Sequence, residues 1–285
     1  MPRTSRFYGY LDMEDWALLV GLGMVAGLVG GLFGVGGGVI YVPVLGWWLD
    51  RQGFAAEHRV SMVLGNSLAM TLVTGLVGVW LWKRKGVYEP RTWLNMGVPA
   101  GLVAVGLAWL LGQGAFYDAA LFRLVFSSML AMMLARNAWA WGKFGAGTPE
   151  GQGKEPSAGG YALLGSLGGL FSALTGLGGG AVMVPALQSL GMRNQARINA
   201  LSMGAISVMA LSSTLFYAMT DQGGLAPAFL LPTAAGTLLG LWPGIAMARH
   251  WSGSRVGSRN LRGGLLIFLT LVLLWINRDW ILPGF

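Results

Sequence analysis

Apolar residues gather in runs along this chain. Five of them, at about 16–33, 39–49, 60–82, 93–111 and 121–141, precede a polar break, and five more, at about 161–177, 181–190, 198–219, 226–248 and 261–276, follow it. Several approach the roughly 20 residues that a membrane-spanning helix needs, whereas the second run of each series is too short to span comfortably. The break, GKFGAGTPEGQGKEPSAGG at 142–160, is rich in Gly and Pro with Lys and Glu balanced, and reads as a flexible linker. The pattern predicts an all-α, polytopic membrane protein in two halves of about five helical segments each.

The halves repeat one another. GGGVIYVPVL at 36–45 matches GGGAVMVPAL at 178–187, and RVSMVLGNSLA at 59–69 weakly echoes RINALSMGAIS at 197–207. Repeated halves with glycine-interrupted segments at equivalent places are the sequence mark of a secondary transporter.

Composition strengthens the membrane reading. The 285 residues are 54% hydrophobic and only 11% charged, with a mean hydropathy of +0.60, against about 25% charged residues in soluble domains. A chain so short of charge must meet lipid over most of its perimeter. The net charge of +8 does not read as a nucleic-acid footprint, which would need clustered cations and exposed aromatics on one polar face. Here the cations gather in short loops between apolar runs. Lys83, Arg84, Lys85 and Arg91, and Arg249, Arg255, Arg259 and Arg262, mark cytoplasmic loops; the loops near Asp118 and Asp221 carry no Lys or Arg and are expected outside. Working back through the repeat, the halves come out inverted, with both termini outside. The domains expected are a first membrane repeat at 1–142, a cytoplasmic linker at 143–160 and a second repeat at 161–285. Arg51 and Arg59 count against the external placement of their loop. The N-terminus has no apolar core directly after its basic residues and does not read as a cleaved signal peptide.

The stretch LFGVGGGVIYVPVL at 32–45 is built from helix breakers inside an apolar segment. Each pair of runs reads as a hairpin turning at 34–38 or 176–180. Backbone without hydrogen bonds cannot face lipid and is tolerated at depth only inside protein or beside a polar cavity. Two such turns entering from opposite faces would meet near the midplane. Each would open a short helix whose free N–H groups and positive dipole end suit an anion, with glycine letting a ligand touch the backbone. Pro43 and Pro185 fit near the start of those short helices, where a missing N–H costs little. The alternative is that the glycines only let helices pack closely, which explains one or two glycines per turn better than a repeated Gly-x-Gly-Gly-Gly with a matching proline. A dinucleotide loop would need a soluble strand–helix context that is lacking here.

The stretch GLFGVGGGVIYVPVL, its copy GLGGGAVMVPAL and the two-half layout resemble the sulfite exporter TauE/SafE family, also called the toluene-sulfonate uptake permease family, over essentially the whole chain. The resemblance implies transport of small sulfur-containing or organic anions such as sulfite, sulfonates and sulfoacetate. It places the substrate site at Gly36, Gly37, Gly38, Gly178, Gly179 and Gly180.

Intramembrane polar residues add candidates. Asn66, Ser67 and Thr71 lie on the third run; Asn199, Ser202 and Ser207 lie on its counterpart; Thr175 sits in the second turn where the first has Phe33. Any single Ser or Thr is more often bonded to its own helix, but a buried amide needs several partners. Arg123, Arg136 and Arg262 are the formal charges inside the expected spans. They read either as anion contacts or as snorkelling side chains, snorkelling being favoured for Arg136 and both readings standing for Arg123. Trp47, Trp48, Trp80, Trp82, Trp93, Trp139, Trp141, Trp275 and Trp280 gather at expected helix ends, as an interface belt would.

With no Cys, only His58 and His250, and no Asp or Glu in any span, neither metal nor cofactor is expected, and little is left for a membrane-embedded enzyme. A cation carrier would place carboxylates in its path. The reading is an inner-membrane transporter of a small anion such as sulfite, a sulfonate or a small carboxylate. A scaffold or enzyme without transport activity is the alternative. The expected partners are that anion and the lipid bilayer, with no nucleic acid; a homo-oligomer is left open.

Overall fold

The computed structural model describes residues 13–53, 56–112, 117–142, 156–192, 194–220, 224–252 and 255–277. The N-terminal stretch 1–12, most of the expected linker, Asp221, Trp280 and the side chains of His58, Trp141 and Arg262 lie outside the described residues. Among the described residues the chain forms ten helices and no strand. They are α1 (Met13–Phe33), α2 (Gly38–Arg51), α3 (Ala56–Arg84), α4 (Pro90–Gly112), α5 (Ala119–Gly142), α6 (Ala158–Thr175), α7 (Gly180–Ser189), α8 (Gln195–Met219), α9 (Pro227–Ser252) and α10 (Arg255–Ile276).

Seven of these, α1, α3, α4, α5, α6, α8 and α9, are long and apolar enough to cross a membrane. The all-α polytopic fold expected from the pattern is the fold the chain adopts. Helices α2 and α7 have 14 and 10 residues. At 1.5 Å per residue they reach only about 21 and 15 Å, short of the roughly 30 Å hydrocarbon layer.

Extensive packing joins elements of different halves: α1 on α9, α6 on α4, α3 on α8, α4 on α8, α3 on α9 and α5 on α10. Numbering α1–α5 against α6–α10, exchange of the halves turns each pair into another pair or into itself. Glycines set the closest approaches. Gly23, Gly27 and Gly31 of α1 lie on the backbone of Thr233, Thr237 and Leu241, and a Cβ on Gly23 would come within 2.2 Å of the Thr233 carbonyl oxygen. Residue numbers rise together, so α1 and α9 run parallel, through the small-residue spacing that lets membrane helices touch. Gly165 and Gly169 of α6 lie likewise on Met96 and Ala100 of α4. Between α3 and α8 the order reverses: Gly65, Gly75 and Gly78 face Tyr217, Ser207 and Met203. These two counterparts in the repeat therefore cross antiparallel.

Partial burial, and then the Arg249 charge, lower the Lys85 pKa. The α3–α4 loop and the end of α9 thus share one basic face. Arg197 at the start of α8 joins that face, donating through Nε and a terminal nitrogen to the two Glu89 carboxylate oxygens at 2.6 and 2.9 Å. On the opposite face Arg59 pairs with Asp50 at 2.6 Å, which offsets one of the two cations in that loop.

Two local expectations change. Pro43 and Pro185 are the sixth residues of their helices rather than lying in the first turn. They therefore remove the N–H that would bond the carbonyl four residues back, at Val39 and Ala181. Trp48 and Trp82 are buried in the core at 6% and 1% exposure, while Trp80 and Trp139 are exposed as an interface belt requires.

Candidate functional site at two facing glycine turns

Helix α1 ends at Phe33 because Gly34, Gly36 and Gly37 all adopt positive φ, at 71°, 80° and 75°. The second turn repeats this residue for residue: Gly176, Gly178 and Gly179 have φ of 70°, 86° and 71°. Other L-residues avoid that region, which is why both turns need glycine at the same three places. Gly37 and Gly179 cap α2 and α7 without side-chain help. The first intrahelical donors are Ile40 and Tyr41 on the Gly37 carbonyl, and Val182 and Met183 on the Gly179 carbonyl. The N–H groups of Gly38, Val39 and Ala181 have no intrahelical acceptor, as at any helix start.

The two turns touch. A Cβ on Gly38 would fall 2.6 Å from the Leu177 backbone, and one on Gly180 would fall 2.7 Å from the Gly34 carbonyl oxygen and 2.9 Å from the Val35 Cα. Residues 34–38 and 176–180 are all buried. Thr71 of α3 is wedged against both: its Cγ2 lies 3.0 Å from the Cβ position of Gly36 and 2.4 Å from that of Gly178. Its hydroxyl is buried and has no hydrogen-bond partner.

Of the polar candidates, Asn199 and Ser202 on α8 reach the first turn. Asn199 donates from Nδ2 to the Leu32 carbonyl at 3.1 Å, and Ser202 donates to the Gly34 carbonyl at 2.9 Å. They satisfy carbonyls left open where α1 stops. Asn199 Oδ1 accepts from Gln195 Nε2 at 2.6 Å, and Gln195 Oε1 accepts from Gln188 at the end of α7 at 2.8 Å. This chain of amides had no signal in the sequence repeat, because α3 has Glu57 and Ser61 at the matching places. Ser67 lies against Gly176 but donates to its own helix at Leu64. Thr175 donates to Phe171 and accepts from the Leu177 N–H.

Asn66 stands apart from the turns. Its Nδ2 donates to the Met62 and Gly224 carbonyls and its Oδ1 accepts from the Ala226 N–H at 2.6 Å, so the amide ties α3 to the entry of α9. Arg123 lines a separate cavity of about 430 Å³ with Arg59 and Asp50. Arg136 does not simply reach for the interface: it donates to the Pro185 carbonyl, and to Ser189 Oγ at 2.6 Å, joining α5 to α7. Among the described residues no cluster of His, Asp or Glu could hold a metal ion.

The sequence is similar to those of several known proteins. A probable membrane transporter protein of Methanocaldococcus jannaschii is 24% identical over 212 residues, 73% of this chain and 74% of the relative. The probable membrane transporter protein YunE of Bacillus subtilis is 28% identical over 192 residues, 62% of this chain and 68% of the relative. A probable membrane transporter protein of Haemophilus influenzae is 22% identical over 179 residues, 62% of this chain and 63% of the relative. No solved structure gives a significant match. Residues 19–276, which take in both glycine turns and the helices packed around them, match the sulfite exporter TauE/SafE family, and the chain belongs to that family of membrane transporters.

Proposed function

We propose that this membrane transporter is a secondary carrier of the inner membrane for a small sulfur-containing or organic anion such as sulfite or a sulfonate, built from two halves of inverted orientation. The observation that carries the reading is the contact between the two glycine turns with the unpartnered Thr71 hydroxyl buried against both. A hydroxyl at that depth without a partner is unfavourable by about 1–3 kcal/mol, and polar groups kept inside membranes mark substrate paths. The proposed site comprises Gly36, Gly37 and Gly38, Gly178, Gly179 and Gly180, with Thr71, Ser67, Thr175, Asn199 and Ser202 around them. Its donors are neutral: helix-start N–H groups, hydroxyls and one amide. Such a set suits a compact oxyanion and holds it loosely enough for release.

The inverted arrangement is supported by the antiparallel crossing of α3 and α8 and by the basic face shared by the α3–α4 loop and the end of α9. The native chain has no cysteine, so single replacements report cleanly. In oriented cells Gln52→Cys, just after α2, is expected to react with an impermeant thiol reagent from outside. Leu190→Cys, just after α7, is expected to react only from inside. Labelling of both from one side overturns the inversion. Substrate class is tested by thermal stabilisation of the purified protein with sulfite, ethanesulfonate and acetate against sodium at constant anion. Stabilisation by the anions is expected, and a sodium effect without an anion effect overturns the reading.

A further inference from the structure

Helix α5 borders two cavities. The larger, about 430 Å³, is walled by α2, α3, α5 and the end of α10, and Arg123 of α5 lines it beside Arg59 and Asp50. The smaller, about 180 Å³, lies between α5 and α7 and is lined by Arg136, Pro185 and Ser189. The two arginines are thirteen residues apart in the chain, or about 20 Å along the helix axis. The cavities therefore lie toward opposite ends of α5.

Each cavity abuts one of the short helices close to a turn. Val42 lines the larger cavity and also lies against the second turn, its Cγ2 3.1 Å from the Cβ position of Gly176. One side chain thus separates that cavity from the turn. Ala181 lines the smaller cavity directly after Gly180, whose Cβ position is 2.7 Å from the Gly34 carbonyl oxygen. Both cavities consequently stand at the edge of the same buried contact.

We propose that the larger cavity is an anion-capture site separate from the glycine turns, in which Arg123 attracts the head group of a short organic anion while Trp47 and Trp275 meet its apolar body. Two guanidinium groups stand in its lining, Arg123 and the Arg59 that is ion-paired to Asp50 at 2.6 Å, and low-dielectric walls focus the field of such groups on a diffusing ion. The remaining wall is mostly apolar, which suits a sulfonate or carboxylate with a short carbon chain better than a bare inorganic ion. The site rests on the anion-carrier reading but is tested apart from it.

Ala120→Cys places a thiol in the cavity wall, and Gln52→Cys serves as an exposed reference. Both are treated with methanethiosulfonates carrying either a sulfonate or a trimethylammonium tail. The cysteine thiolate attacks the thiosulfonate sulfur, forms a disulfide to the tail and releases methanesulfinate. The anionic-to-cationic rate ratio at position 120, divided by that at position 52, is expected to be at least about threefold and to fall as salt is raised. It is expected to collapse in Arg123→Gln and to survive in Arg123→Lys, and ethanesulfonate should slow the reaction at 120. A ratio at or below that of the reference, or one unchanged by Arg123→Gln, overturns the capture site. Slowing by anionic lipid vesicles but not by ethanesulfonate identifies a lipid headgroup as the occupant and overturns it too. Anion stabilisation of the protein without charge selectivity at 120 refutes only the cavity. Charge selectivity without any anion stabilisation refutes the carrier reading and leaves the cavity standing.

Discussion

Replacing Gly178 by alanine tests the contact on which the site depends. The added Cβ would lie 2.4 Å from Thr71 Cγ2, and the backbone there has φ of 86°. Two separable costs follow: about 1–2 kcal/mol for a non-glycine residue in the left-handed region, and about 1–3 kcal/mol for overpacking. Thr71→Ser removes the clashing methyl, after which the nearest atoms would be the hydroxyl at 3.2 Å and the Thr71 Cβ at 3.4 Å. That change alone costs about 1 kcal/mol for the lost methyl. In the double variant the overpacking term disappears while the backbone term stays. A double-mutant cycle, measured by denaturant unfolding in mixed micelles, should therefore give a coupling of about 1–3 kcal/mol in favour of the pair. Gly36→Ala meets the same methyl at 3.0 Å and should couple more weakly. Additive effects at Gly178 would mean that Thr71 is not wedged against the second turn, and the geometry of the site would fail with it.

Thr71→Val should raise the stability of the ligand-free protein by about 1 kcal/mol, because it removes an unpartnered buried hydroxyl, and should shrink the thermal shift produced by sulfite; a destabilised variant with an unchanged sulfite shift would refute both statements. Asn66→Ala should cost about 1–3 kcal/mol by leaving the Gly224 carbonyl and Ala226 N–H unpaired, with the sulfite shift retained. The Glu89–Arg197 pair is about 30% exposed on both sides, so the coupling between Glu89→Gln and Arg197→Gln should be at most about 1 kcal/mol and should fade in high salt. Arg136→Gln should loosen α7 against α5, read as faster thiol labelling of Ala186→Cys, without lowering anion affinity.

Much of the fold was legible because the membrane imposes it. Runs such as 60–82 and 198–219 have no other place to go, and they became α3 and α8. The repeated glycines located both turns to the residue, since positive φ at three matched positions admits little else. Side-chain aim was not legible. Asn66 and Asn199 lie on matching runs and both read as buried amides, yet one meets the α9 entry and the other the end of α1. The difference arises from which neighbouring helix passes each residue, and local sequence carries no record of that. The same holds for Trp48 and Trp82, which read as belt residues and pack inside. Thr71 was visible as a polar residue on the third run, but its place wedged against both turns is one that only packing reveals.

By sequence alone, the glycine stretches suggest a ligand pressed against bare backbone. The geometry assigns most of those glycines another task. Gly34, Gly36, Gly37, Gly176, Gly178 and Gly179 are required by positive φ, while Gly38 and Gly180 are required because each lies against the other turn. Turn formation and turn-to-turn contact thus account for all eight without any substrate. Neither accounts for Thr71. A valine there would fill the same space between the turns and leave no polar group unpaired, so a protein selected only for tight packing gains nothing from the hydroxyl. On the proposed carrier reading, the Thr71 hydroxyl joins the helix-start N–H groups as a donor that turn packing by itself does not require. That proposed role would require the turns to part, because an anion reaching that oxygen must enter between surfaces now within van der Waals contact. On the proposed reading, an anion bound only while the two halves shift would leave such a hydroxyl unpartnered at rest and satisfy it in passage.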